Sequence, residues 1–167
     1  MENKVEDTLR INSIDNDFTE KYLTFFIGEQ IFAVQSSSVI EIIRMQPITF
    51  MPKLPAFVKG VINLRGKIVP LIDLRIKLGK EPREYDEHTS IVVLDTNETS
   101  VGFIVDRVND VADIAKSQIS ESPRLAKDSD SGYVSGIATL DTQVAMILNL
   151  TSILTEDSEE AKTAKAI

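Results

Sequence analysis

Two segments of the chain align without a gap, and this internal repeat constrains the fold more than any other feature of the sequence. Residues Phe57 to Leu74 are FVKGVINLRGKIVPLIDL, and residues Tyr133 to Leu150 are YVSGIATLDTQVAMILNL. An aromatic residue, a valine, a glycine and two leucines occupy the same positions in both copies. A repeat of this kind predicts one supersecondary unit that the fold uses twice.

Four further apolar segments are typical of strands and are separated in pairs by polar turns. They are residues 22–27 with 31–34, and residues 90–94 with 100–105. Each pair predicts a hairpin, and each is followed by apolar residues that enclose an acid, Glu41 in one case and Asp110 in the other. Short strands without a long amphipathic helix between them predict an all-β fold, mainly β with short helices, built as two small barrels packed together.

The expected organisation places both barrels within residues 19–154. Residues 1–18 are predicted to be a flexible tail, and residues 157–167 an acidic tail. The first barrel is expected over about residues 19–82 and the second over about 83–150, because residues 80–88 are charged and contain proline. Residues 73–80 predict a short helix that ends at Gly79, and a short C-terminal helix is expected over about 149–156.

The repeat also separates residues that the fold needs from residues that it does not. Gly60 and Gly136 are shared by both copies, and a glycine within a strand marks a bulge or a close backbone approach. Arg65 stands in the turn of the first copy, but the second copy has Asp141 there. Since the turn does not require an arginine, Arg65 is a candidate functional residue.

Composition and charge exclude several classes of function. A net charge of −8 and a pI near 4.7 argue against binding to nucleic acid, which needs clustered Lys and Arg. The chain has no cysteine, no apolar run long enough to span a membrane, and no signal-peptide pattern at its polar N-terminus, so we expect a cytoplasmic protein without direct membrane insertion.

The sequence offers few candidates for catalysis. The single histidine, His88, lies in a polar stretch and is expected to be an exposed linker residue. Solvated or capping roles are expected for the carboxylates that follow strands or lie in turns, which are Asp73, Asp106, Asp110 and Asp113. We therefore predict a binding module with no catalytic residues, no metal and no cofactor.

Several segments together resemble the CheW family of chemotaxis coupling proteins, from about Tyr22 to Leu154. These segments are GVINLRG at 60–66, IVPLIDLR at 68–75, VIEIIR at 39–44, PAFVKG at 55–60 and VGFIVD at 101–106. The resemblance implies two intertwined SH3-like barrels of five strands each, which agrees with the repeat.

The resemblance also implies a function. Members of the family are non-enzymatic adaptors that join the histidine kinase CheA, through its C-terminal CheW-like domain, to the cytoplasmic tips of methyl-accepting chemotaxis receptors. Such a protein is expected to be a monomer when free and to join rings or arrays at the inner membrane when assembled. The alternatives are a CheV-like or other CheW-domain scaffold without a receiver domain, and a small β-barrel enzyme or ligand carrier, which would have a deep pocket lined by polar groups.

Nine positions are implied as binding residues by the same resemblance. Arg65 matches the arginine of the family's Asn-Leu-Arg-Gly motif, and Glu41 matches the acid that pairs with it beside the receptor-binding groove. The other implied receptor-binding positions are Val39, Gly60, Gly102, Val108 and Val111. The loop from Ile119 to Ala126 is the implied kinase contact, where Ser120 and Leu125 occupy positions that hold an arginine and an aromatic residue in relatives.

Overall fold

A computed structural model describes residues 18–97, 99–121 and 132–154. Both predicted tails, over residues 1–18 and 157–167, lie outside these ranges except for Phe18. In the described residues the chain is mainly β, as predicted. The strands are β1 (Thr19–Ile27), β2 (Gln30–Gln35), β3 (Val39–Arg44), β4 (Val58–Leu64), β5 (Lys67–Asp73), β6 (Ser90–Asp95), β7 (Ser100–Val105), β8 (Arg107–Ala115), β9 (Ile119–Glu121), β10 (Val134–Leu140) and β11 (Gln143–Leu148). The α-helices are α1 (Leu74–Lys77) and α2 (residues 150–154), and single 3-10 turns cover Ser36–Ser38 and Lys116–Gln118.

The strands form two sheets that correspond to the two predicted barrels. One sheet has the order β3-β6-β7-β5-β4, and the other has the order β8-β1-β2-β11-β10-β9. Neighbouring strands are antiparallel except for two parallel pairs, β5 with β7 and β2 with β11. Both hairpins predicted from the sequence are present, as β1-β2 and β6-β7.

The two sheets draw their strands from both halves of the chain, so the expected division near residue 82 does not follow the sheets. Strands β1 and β2 precede that point but belong to the sheet that contains β8 to β11. Strands β6 and β7 follow it but belong to the sheet that contains β3 to β5. The parallel pairs cause this exchange, because each places the first hairpin of one half beside the second hairpin of the other half. The intertwined arrangement implied by the family resemblance is thus confirmed.

The exchange makes the two sheets nearly equivalent, with one difference. Strand β9 gives the second sheet a sixth strand, in which Ser120 pairs with Ile137. At the matching place in the first sheet there is a single bridge between Thr49 and Val61. The expectation of five strands is therefore correct for one sheet and one strand short for the other.

Gly60 and Gly136 both lie at a bulge where another segment crosses closely, as the repeat predicted. The register shifts beside each of them, between Val58 and Gly60 and between Val134 and Gly136. A Cβ on Gly60 would lie 2.2 Å from the carbonyl oxygen of Thr49, and Gly60 has a φ of 141°. Only glycine accepts both the close approach and this backbone conformation.

The largest buried cluster lies between the sheets and is built by both. Phe25 of β1 and Phe103 of β7 are fully buried in it. Lys77 of α1 adds a cation–π contact, because its Nζ lies 4.0 Å from the ring centroid of Phe57 and 5.1 Å from that of Tyr133. Phe57 and Tyr133 are matching residues of the repeat, so the contact joins the two copies.

Helix α1 follows β5 directly and is capped at both ends. Asp73 accepts hydrogen bonds from the amides of Arg75 and Ile76 at 3.0 and 3.4 Å, which confirms its predicted capping role. At the other end, Gly79 has a φ of 80° and donates to the carbonyl of Ile76. The amide of Lys80 donates to the carbonyl of Arg75, which completes the Schellman pattern and confirms the predicted end at Gly79.

The predicted C-terminal helix is present as α2 over 150–154, and the rest of the predicted span to residue 156 lies outside the described residues. Across the described ranges no helix is both long enough and apolar enough to cross a membrane.

Candidate functional site

The turn between β4 and β5 presents Arg65 at one end of the five-stranded sheet. Arg65 and Gly66 have φ values of 52° and 86°, which is the pattern of a two-residue type I′ turn. Glycine adopts this region readily, whereas an arginine there is uncommon. The Arg65 side chain is 72% exposed, so its guanidinium is available to another molecule.

Arg65 forms an ion pair with Glu41 of β3. Strands β3 and β4 are opposite edges of the sheet, so this pair joins the two edges as the sheet curls into a barrel. The Glu41 side chain is only 24% exposed, which makes it the more fixed partner. An exposed pair of this kind contributes only about 0–1 kcal/mol to stability.

The six-stranded sheet contains the corresponding strands without the ion pair. Strand β3 has a bulge at Ile40 in its pairing with β6, and β8 has the matching bulge at Asn109 in its pairing with β1. This register makes Asp110 the counterpart of Glu41, while Asp141 is the counterpart of Arg65. Two acids repel each other, so the ion pair belongs to one copy only.

The predicted valines lie on these same two edge strands. Val39 of β3 and Val108 of β8 are half-buried and pack against the cluster between the sheets. Val111 is the counterpart of Ile42, and both side chains are exposed. The structure thus brings Val39 and Val108 to one core and leaves Val111 on the surface of β8.

Sequence reasoning missed Ile40 and Ile42, which are exposed apolar side chains on either side of Glu41. In the structure, partly buried and exposed positions alternate along Val39–Arg44, because residues two apart in a strand share a face. The sequence VIEIIR does not alternate apolar and polar residues, so it carried no signal that these two isoleucines are exposed. Exposed isoleucines beside a charged pair are suited to contact another protein.

Gly60 and Gly102 are buried and have no surface to offer a partner directly. Gly102 lies inside β7, where a Cβ would lie 2.6 Å from Cδ2 of Leu71 and 2.8 Å from Cγ2 of Ile91. Any effect of these two glycines on binding therefore passes through the position of the backbone.

Ser120 is exposed on β9 and lines an open groove of about 570 Å³. Phe18, Tyr22 and Ile114 also line this groove, together with the charged residues Glu20, Lys116 and Glu121. Leu125, the second predicted kinase-binding residue, lies outside the described residues.

A second polar cluster, which sequence reasoning did not find, surrounds Asp106 between β7 and β8. Asp106 accepts a hydrogen bond from the amide of Gly28 at 2.7 Å and pairs with Arg75 at 3.3 Å. Arg83 of the connecting segment lies 3.7 Å from the same carboxylate. Asp106 thus connects three segments of the chain. The solvated or capping role that the sequence led us to expect for Asp106 is therefore wrong.

Tyr85 extends this cluster to Asp73 by donating a hydrogen bond of 2.7 Å to its Oδ2. Burial raises the pKa of the Tyr85 phenol well above its usual range, and the hydrogen bond to Asp73 adds to the increase. Although these polar groups converge, they enclose only about 10 Å³, which is room for about one water molecule. This cluster therefore connects the segment 80–88 to the barrels and has no space for a substrate.

His88 is exposed, as predicted, with its Nε2 3.5 Å from Glu87. Over the described part of the chain no group of three or more histidines and acids is arranged to hold a metal ion.

Comparison with known proteins identifies the family. The model of the CheW-like domain matches residues 21–158. The chain belongs to the CheW family. A probable chemotaxis protein CheW of Rhizobium etli is 34% identical over 146 residues, which cover 87% of this chain and 94% of that protein. The chemotaxis protein CheW of Klebsiella aerogenes is 33% identical, with 83% of each chain covered.

A solved CheW structure confirms the fold. The crystal structure of the scaffolding protein TtCheW from Thermoanaerobacter tengcongensis superposes with a TM-score of 0.74 at 31% identity, covering 80% of this chain and 90% of that one. CheW proteins are bacterial chemotaxis scaffolds, so this chain is a chemotaxis scaffold built on two packed SH3-like barrels.

Proposed function

We propose that this chain is a non-enzymatic adaptor that couples the histidine kinase CheA to the cytoplasmic tips of methyl-accepting chemotaxis receptors. The observation that carries the proposal is the Arg65–Glu41 pair, which the fold builds in one copy of its repeat and not in the other. A feature that the duplicated scaffold does not need is best explained by a partner. Membership of the CheW family supports chemotaxis as the setting.

The receptor contact is proposed along the edge strands that border the cluster between the barrels. A receptor tip is a helical hairpin, and a helix docks by placing an apolar stripe in a groove. Val39, Val108 and Val111 supply apolar surface, and Arg65 supplies a guanidinium that can bind a carboxylate or a carbonyl oxygen. Gly60 and Gly102 act by allowing the backbone positions that shape these edges.

The kinase contact is proposed at the surface around β9 and the loop that follows it, with Ser120 and Leu125. The open groove beside Ser120 is lined by both apolar and charged residues, which suits a protein partner. The C-terminal domain of CheA is expected to have the same fold, so barrel-to-barrel contacts of a head-to-tail kind can repeat around a ring.

The mechanism that we propose is geometric and involves no covalent change. Binding of both partners fixes the kinase relative to the receptor tip. A signal changes the conformation of the receptor tip, and the two receptor conformations bind this surface with different free energies. The change therefore alters the preferred arrangement of receptor, adaptor and kinase. The protein acts in this way at receptor arrays on the inner membrane, to which it is recruited from the cytoplasm.

The alternative is a CheV-like or other CheW-domain scaffold without a receiver domain. The polar groups that converge around Asp73 and Asp106 do not favour an enzyme or ligand carrier, because the cavity beside them holds about one water molecule.

The test compares Arg65→Ala and Glu41→Ala with Asp141→Ala, the matched variant in the second copy. Binding to a purified chemoreceptor tip fragment is measured by calorimetry, and the melting temperature by circular dichroism. We expect both variants of the pair to weaken binding while the melting temperature changes little, since the pair contributes about 0–1 kcal/mol to folding. Asp141→Ala is expected to bind like the unchanged protein. Unchanged binding of Arg65→Ala, or a loss of folding equal to the loss of binding, would contradict the proposal.

A further inference from the structure

Asn63 makes the one side-chain contact that the structure records to the backbone of the Arg65 turn. Its Oδ1 accepts a hydrogen bond of 2.7 Å from the amide of Gly66. In a two-residue turn this amide does not take part in the strand pairing, so the asparagine side chain supplies a partner that the backbone does not.

This hydrogen bond stabilises an uncommon backbone conformation. Arg65 must adopt a positive φ of 52° for the turn to form, and residues with a Cβ resist this region. Side-chain carbonyls of asparagine offset such resistance by imitating a backbone acceptor in a turn. The bond from Gly66 therefore favours the turn that places Arg65 opposite Glu41.

The second copy of the repeat forms a different turn. There only the first turn residue, Asp141, has a positive φ, at 44°, and Thr142 does not. The position of Asn63 is occupied by Thr139, whose recorded contact is through its main-chain oxygen, which accepts from Gln118. The asparagine, the type I′ turn and the arginine thus occur together in the first copy, and none of them occurs in the second.

We propose that Asn63 is a positioning residue for the binding site: it locks the turn so that the Arg65 guanidinium is held at Glu41 and presented to the receptor tip. Asn63 acts through Arg65 and is not itself required to touch the partner. The proposal deepens the proposed receptor contact and rests on it. Without the asparagine, the turn is expected to sample the second copy's geometry and to move the guanidinium away from Glu41.

The test is a double-mutant cycle with Asn63→Ala and Arg65→Ala in the full chain, with Thr139→Ala as the matched control. Binding to a purified chemoreceptor tip fragment is measured for each single variant and for the double variant. Asn63→Ala is expected to weaken binding by about two- to tenfold, the range of one hydrogen bond, and to have no further effect once Arg65 is alanine. Thr139→Ala is expected to leave binding unchanged.

A second measurement reports on the hydrogen bond within the turn. Amide hydrogen exchange at Gly66, followed by nuclear magnetic resonance, is expected to speed up in Asn63→Ala and to return towards the original rate in Asn63→Asp, which keeps an oxygen acceptor. A structural contribution alone would lower the melting temperature without coupling to Arg65 in binding.

The outcomes separate this inference from the proposed function. If Arg65→Ala binds the receptor fragment as tightly as the unchanged protein, the receptor role of the pair is contradicted, and the positioning role is overturned with it. If Arg65→Ala weakens binding but Asn63→Ala has no effect, or has the same effect in both backgrounds, the positioning role alone is overturned.

Discussion

At the scale of single residues, some charged side chains of this protein join segments of the chain, whereas others, such as Arg65, are largely exposed. Asp106 and Asp73 are held by several donors each and connect parts of the chain. Arg65 has one charged partner and stays largely exposed. The contrast separates residues that stabilise the fold from a residue suited to recognition.

Tyr85 gives a pH-dependent prediction at this scale. Burial and Asp73 raise the pKa of its phenol in the folded state, so the stabilisation is fully present below the unfolded pKa of about 10 and is lost as the pH rises above it. We expect Tyr85→Phe to be less stable than the unchanged protein by about 1 kcal/mol at pH 8, and the difference to shrink by pH 11. Urea unfolding at both pH values measures this. A difference that stays constant between pH 8 and pH 11 would contradict the assignment.

Only some of the contacts made by the charged residues could be predicted from the sequence. The helix-capping role of Asp73 could be predicted, because its partners are the next few amides along the chain. The pairing of Asp106 with Arg75 could not, since the two are 31 residues apart and no local pattern links them. The pairing of Glu41 with Arg65 was reached through the family resemblance, and neither residue alone indicates it.

At the scale of elements, the repeated hairpins follow from local sequence and their shared glycines. Short, nearly continuous apolar segments separated by a polar turn are enough to predict β1-β2 and β6-β7. Strand β9 was missed because it has only three residues, and its pairing is set by the crossing at Gly136 rather than by its own sequence.

The two bulge glycines give a matched prediction. Gly60→Ala is expected to destabilise the protein by about 2–4 kcal/mol, because the new Cβ would meet the Thr49 carbonyl and the backbone is in a region that alanine disfavours. Gly136→Ala should cost less, since its Cβ would lie 2.9 Å from the Ile119 side chain and 3.1 Å from the Ser120 oxygen. Denaturant unfolding of the two variants tests the order. Equal stability of Gly60→Ala and the unchanged protein would refute the close-approach argument.

At the scale of the whole molecule, neither half of the chain holds a complete sheet. The sequence predicted two barrels that follow one another along the chain, whereas each sheet takes strands from both sides of residue 82. The parallel pairs β2 with β11 and β5 with β7 cause this exchange, and no local sequence pattern predicts the pairing of such distant segments. The core between the sheets is likewise shared, with Lys77 against aromatic residues of both copies.

The exchange predicts that the halves fold only together. A fragment of residues 1–89 lacks every strand from β6 onward, so we expect it to be unfolded by circular dichroism. Mixing it with a fragment of residues 90–167 is expected to restore the β spectrum and a single cooperative unfolding transition. A cooperatively folded 1–89 fragment would show that the barrels are sequential after all.

The central claim is that this chain joins the kinase to the receptor, and the most direct measurement is reconstitution from purified parts. A chemoreceptor tip fragment is immobilised, and retention of CheA is measured with and without this protein. The account predicts that the protein increases CheA retention and that Arg65→Ala reduces the increase, whereas Asp141→Ala does not. Equal CheA retention in the presence and absence of the protein would contradict the account.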